Sequence, residues 1–153
     1  MLSVLRALQR AGVRYVLVGE LAEVLHGSPL LPLTASVSSV PQAGRRDGLM
    51  AAIAAGGGTG EPASATPAVD ASMSPLGVLG MSLEVVPALA GTRGYDDLRR
   101  DAVPVRLGED LEVIVAPLVD LVRIAEAAGD QARVPALRRT FELATDGPVA
   151  RAA

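Results

Sequence analysis

The sequence has no cysteine. Disulfides, thiolate nucleophiles and cysteine-ligated zinc are therefore excluded. It also has no lysine, because all 14 basic residues are arginine. That removes Schiff-base and catalytic-lysine chemistry, which needs a basic group able to shed its proton. With one histidine, His26, a single chain cannot build a multi-histidine metal site. Tryptophan is absent, and aromatic residues make up only 2% of the chain: Tyr15, Tyr95 and Phe141. Single-strand nucleic-acid binders stack bases on aromatic faces, so that class is not expected. Nor is there the basic surplus of a nucleic-acid binder, since the net charge is −3. No uncharged apolar run reaches the ~18 residues of a membrane span. Residues 1–10 carry Arg6 and Arg10 inside an amphipathic pattern, unlike the basic head and apolar run of a secretion signal. The expected location is the cytoplasm, with no membrane partner.

What is present describes a folded domain. The chain has 153 residues, 50% hydrophobic and 20% charged. At that length about two-thirds of the unfolded surface can be buried in one core. With so few aromatics, the core must come from Leu, Val, Ile and Ala. The arginine-only basic set, with abundant Ala, Gly, Val and Pro, points to a GC-rich bacterial source. Residues 1–145 read as one domain, and 146–153 as a tail that frays.

Apolar residues at Leu2, Val4, Leu5, Leu8 and Ala11 recur at helical spacing, and Gly12 follows as the stop. Val13–Val18 is rich in β-branched residues and reads as a buried strand. Leu21–His26 reads as a short helix closed by Gly27, and Ser28–Pro32 as a loop. Thr34–Val40 is a second strand, and Ala43–Ala55 a helix stopped by Gly56-Gly57-Gly58. Residues 57–74 are rich in Gly, Ala, Ser, Thr and Pro, which predicts an irregular loop. Val78–Val86 is a third strand, bulged or broken at Gly80. Tyr95–Arg100 is a short helix. Val103–Leu107 and Leu111–Val115 form a hairpin. Pro117 opens a helix that runs to about Ala128, with Gly129 behind it. Gln131–Ala144 is the last helix, and Leu121, Ile124, Leu137 and Phe141 are expected in the core. Hairpin-linked and helix-separated strands occur together, which predicts an α+β (mixed α/β) fold: a mixed sheet flanked by helices.

One run stands out: Ala11-Gly12-Val13-Arg14-Tyr15-Val16-Leu17-Val18-Gly19-Glu20-Leu21-Ala22, followed by Leu25-His26-Gly27. Further on come Ser74-Pro75-Leu76-Gly77, Gly94-Tyr95-Asp96-Asp97-Leu98 and Val115-Ala116-Pro117-Leu118-Val119-Asp120-Leu121-Val122-Arg123. In this order and spacing, the segments resemble bacterial nucleotidyltransferase domains of the DNA polymerase beta superfamily. The resemblance spans about residues 2–143. It implies a strand ending in Gly-Gly or Gly-Ser before a short helix, a second strand with Asp-x-Asp, and a third acid on a third strand. It also implies transfer of a nucleotide from a triphosphate to a hydroxyl on RNA, protein or a small molecule.

The positions that would carry this chemistry depart from the pattern. Thr34-Ala35-Ser36-Val37-Ser38 stands where the resemblance implies Asp-x-Asp, so Ser36 and Ser38 replace two acids. Counting from Pro75-Leu76-Gly77, the third acid falls on Gly80. Glu20 replaces the second small residue of the opening motif, after Gly19. Mg²⁺ wants anionic oxygen ligands, and two such ions stabilise the attacking and leaving oxygens of a phosphoryl transfer. Neutral hydroxyls and a glycine are poor substitutes. A carboxylate at Glu20 suits the helix dipole but repels a triphosphate at the same helix start.

The expected function is therefore a degenerate nucleotidyltransferase-like protein without catalysis. It would act as a binding or regulatory module through a protein partner or self-association. Gly19, Glu20, Ser36 and Ser38 would line a vestigial pocket, with no metal and no cofactor. The alternative is an active, Mg²⁺-dependent nucleotidyltransferase whose acids have moved to Glu20 and Glu84. Simpler structural readings compete at each position. Ser36 and Ser38 read as a strand edge, Glu20 as a helix-start acid and Glu84 as a solvated strand end. His26 reads as a helix C-cap. Arg45-Arg46 and Arg138-Arg139 read as solvated faces. Asp96-Asp97 and Glu109-Asp110 read as turn and helix-start acids.

Overall fold

The computed structural model describes residues 2–30, 32, 34–39, 82–86 and 89–146. Its helices are α1 (Leu2–Arg10), α2 (Gly19–Leu25), α3 (Tyr95–Arg100), α4 (Leu118–Ala127) and α5 (Val134–Asp146). Its strands are β1 (Tyr15–Val18), β2 (Thr34–Ser39), β3 (Ser82–Val85), β4 (Val103–Arg106) and β5 (Glu112–Val115). The helix expected at 43–55, the loop at 57–74, Ser74–Gly77, Gly80, Arg45, Arg46 and the tail from 147 onward lie outside the described residues.

The five strands form one sheet in the order β3-β2-β1-β5-β4. β1 runs antiparallel to β2 and parallel to β5. β2 and β3 are parallel, whereas the β4–β5 hairpin is antiparallel. The architecture is thus α+β with a mixed sheet. All four residues of the central strand, Tyr15, Val16, Leu17 and Val18, are buried. A strand that is apolar throughout needs cover on both faces. The cover includes Leu5 and Leu8 of α1, Ala22 of α2, Leu98 of α3, Leu121 and Ala125 of α4, and Leu137 of α5. At one edge β4 carries Pro104, whose missing N–H suits a strand with no outer neighbour among the described residues.

Three helices end alike. Val13 N–H donates back to the Leu8 carbonyl, Ser28 to Glu23 and Asp130 to Ala125, each at 3.0 Å. Gly12, Gly27 and Gly129 sit between with positive φ, the geometry that lets a chain turn off a helix while satisfying its last carbonyls.

Several boundaries differ from the sequence expectation. α2 begins at Gly19 rather than Leu21, so Glu20 lies in its first turn. Pro117 is the extended residue before α4, with ψ 152°, rather than part of its first turn. Residues 131–133 form a turn, and α5 starts at Val134. Phe141 is 38% exposed and not in the core. Leu137 and Thr140 take the inward positions of α5, and residues 141–145 are all exposed because the helix runs on past its cover.

Candidate functional site

The sheet brings the end of β1 and the starts of β2 and β3 to one side. Val18 pairs with Ser36, and Ser36 pairs in turn with Glu84. The Cα atoms of Val18, Ser36 and Glu84 thus form a row across three strands. Thr34 pairs with Ser82, and Ser38 with Val16. Gly19 follows Val18 with φ 70°, a left-handed conformation that turns the strand directly into α2. Gly19 and Glu20 are both half-buried. Counting along the chain put Gly80 at the third-acid position. The observed ladder sets Glu84 level with Ser36.

His26 stands behind this end of the sheet. Its Nε2 lies 2.8 Å from the carbonyl oxygen of Ala116, the residue after β5. A carbonyl only accepts, so Nε2 carries the proton in this contact. Ala116 N–H in turn donates to the Leu17 carbonyl at 2.9 Å. His26 is the C-cap residue of α2 by position, but its ring ties α2 to β5 rather than capping the α2 carbonyls. The backbone N–H of His26 makes the capping bonds, to Ala22 and Glu23.

A second contact fixes α2 from below. Glu23 is buried, and Arg133, just before α5, donates from Nη2 to its Oε1. Oε2 of Glu23 is buried without a hydrogen bond among the described residues. Sequence reasoning did not single out either residue. The available signal was a carboxylate amid the apolar residues of a seven-residue helix.

Arg123 on α4 joins two carboxylates. Its Nη2 donates to Asp97 Oδ2 at 3.0 Å and lies 3.0 Å from Asp120 Oδ1. The Arg93 backbone N–H bonded to Asp97 holds that carboxyl below its ordinary range, helped by Arg123. Burial pushes Asp120 the other way, against the pull of Arg123. Asp97 is thus a helix-start acid of α3, as its spacing predicts. Asp110 pairs with Arg6 at 3.1 Å from the β4–β5 turn. Arg138 pairs with Glu126 and Arg139 with Glu142 on exposed surface.

Among the residues whose side chains are described, no three His, Asp or Glu side chains converge as metal ligands. No helix among the described residues is long and apolar enough to cross a membrane. Comparison of the chain with protein-family models, curated proteins and solved structures finds no match.

Proposed function

We propose that the chain is a nucleotidyltransferase-like domain that does not transfer nucleotides and works instead as a binding or regulatory module. The supporting observation is the row Val18–Ser36–Glu84. Under the resemblance, this is where two Mg²⁺ ions would be held by three carboxylates. The residues there do not fit two such ions. Ser36 and Ser38 are neutral, so Glu84 is the one carboxylate on the two strands β2 and β3. A hard divalent cation gains little from hydroxyl ligands in place of carboxylates. Glu20, in the first turn of α2, adds negative charge where a triphosphate would approach. The module would act through a protein partner or a second copy of itself, with a neutral group at the serine positions.

Calorimetry with MgATP and the other nucleoside triphosphates tests this reading. Binding no stronger with Mg²⁺ than without it is expected. Tight, magnesium-dependent binding would overturn it.

The same row favours a second reading. Glu84 lies level with Ser36, and Glu20 lies two residues beyond Val18, so two acids border the same end of the sheet. An active enzyme with a relocated site would use these two. Transfer of label from a radioactive triphosphate, abolished in Glu84→Ala but retained in Ser36→Ala, would establish it.

A further inference from the structure

At the other end of β1, about 10 Å of strand away from Val18, lies a depression of about 340 Å³. Its lining comes from four elements. α1 and the turn after it give Gln9, Gly12 and Val13, β1 and its approach give Arg14 and Tyr15, α3 gives Tyr95 and Arg99, and β5 gives Glu112 and Ile114. The sequence spacing accounts for the convergence. Tyr95 and Arg99 are four apart on one helix face, and Glu112 and Ile114 are two apart on one strand face.

Four features point to a ligand. First, two of the chain's three aromatic residues line this one depression. Second, both tyrosines are more than nine-tenths buried, with Tyr15 7% and Tyr95 8% exposed, so packing holds their rings in place as a floor. Third, Arg14 and Arg99 are exposed at the rim and form no ion pair among the described residues, which leaves both guanidinium groups open to an anion. Fourth, the rim's carboxylate, Glu112, lies 3.9 Å from Arg106, an arginine outside the lining. Positive charge is left in excess over an apolar, aromatic floor. The volume falls at the lower end of the roughly 300–1,000 Å³ of small-molecule sites, enough for a single ring and its substituent.

We propose that this depression binds a small organic anion with a flat apolar body, its anionic group on Arg14 and Arg99 and its ring against Tyr15, Tyr95 and Ile114. Guanidinium groups recognise carboxylate and phosphate alike through paired N–H donors. The tyrosine hydroxyls add donors at the floor, and burial, which pushes Tyr15 up to about 12, keeps that phenol protonated at neutral pH. The site lies at the opposite end of β1 from the Val18–Ser36–Glu84 row.

Benzoate and phenyl phosphate are the probes, titrated separately into protein carrying ring-labelled tyrosine and followed by NMR. With two tyrosines in the chain, both lining the depression, the ring signals report on this site alone. Saturable shifts of both rings with at least one probe are expected. The Arg14→Gln/Arg99→Gln variant should bind it weaker by roughly tenfold or more. Both substitutions fall on exposed positions, and Arg99→Gln alone carries the same expectation at smaller magnitude. The tighter probe distinguishes carboxylate from phosphate, and either order upholds the site. Absence of a saturable shift with both probes would overturn the proposal. So would binding that is unchanged in the arginine variants.

Discussion

Glu23 and Arg133, 110 residues apart in the chain, form an ion pair that fastens α2 to the start of α5. The glutamate side chain is 2% exposed and the arginine 30%. Asp130 lies on the other side of the guanidinium, 3.6 Å from Nη1. A buried pair of this kind is costly to break from one side, because the remaining charge has lost its water and gains nothing in return.

Arg133→Met should therefore destabilise the fold by ~3 kcal/mol, and Glu23→Leu should be costly in the same way. The double replacement Glu23→Leu/Arg133→Met should cost much less than the sum of the two single changes, since it leaves no orphaned charge. Urea unfolding of the four proteins in this cycle measures the coupling. Additive losses would mean that the two charges do not depend on each other.

Asp97 and Asp120 share Arg123 but respond to pH in opposite senses. The folded value of Asp97 is lowered, by the Arg93 amide first and by Arg123 as well. Its contribution is present at neutral pH and is lost as the pH falls through and below the ordinary carboxylate value of about 3.9. The folded value of Asp120 is raised by burial. Its contribution is present below that ordinary value and is lost as the pH rises through the raised one. Asp97→Asn should lower the melting temperature at pH 7 and flatten its fall in acid. Asp120→Asn should match or exceed the parent at pH 7, with the difference closing on acidification. Melting curves recorded between pH 3 and pH 7 test both.

Tyr15 should set an alkaline limit to stability. Burial pushes its phenol up to about 12. A raised value means stability that is intact below the ordinary phenol value of about 10 and is lost as the pH rises through the folded one. The chain has no lysine and no cysteine, so no other side-chain type than tyrosine titrates in that window. Tyr15→Phe should keep its melting temperature further into alkali than the parent does. Equal alkaline losses in the two proteins would place the sensitivity elsewhere.

Restoring acids tests the row at the end of β1. With Glu84 level with Ser36, Ser36→Asp and Ser38→Asp together should create a divalent-cation site without any change at position 80. The readout is a rise in melting temperature with added Mg²⁺ or Mn²⁺, absent from the parent, as expected when a ligand binds only the folded state. Addition of Glu84→Gln should abolish that rise. A rise that persists would mean that Glu84 is not part of the site.

Much of this architecture was legible locally. Helix and strand positions followed from apolar periodicity, and three helix ends from glycines whose positive φ closes the last turn. Asp97 read correctly as a helix-start acid because the interactions of such a residue lie within a few positions of it. Phe141 did not read correctly. Its spacing from Leu137 matches a buried face, but burial depends on whether another element reaches that far along α5. Pro117 misled for a smaller reason, since a proline fits the residue before a helix as well as its first turn.

By itself, then, the sequence determined what is local or chemical in this protein. It excluded thiol, lysine and multi-histidine chemistry, placed the elements, and put neutral residues at 36 and 38. The tertiary structure decided what depends on register and on distant partners. The β2–β3 ladder sets Glu84 level with Ser36, because strand register is fixed by hydrogen bonds between segments and not by sequence distance. The same non-local packing paired Glu23 with Arg133, turned His26 toward Ala116, and gathered both tyrosines around one depression at the far end of the central strand.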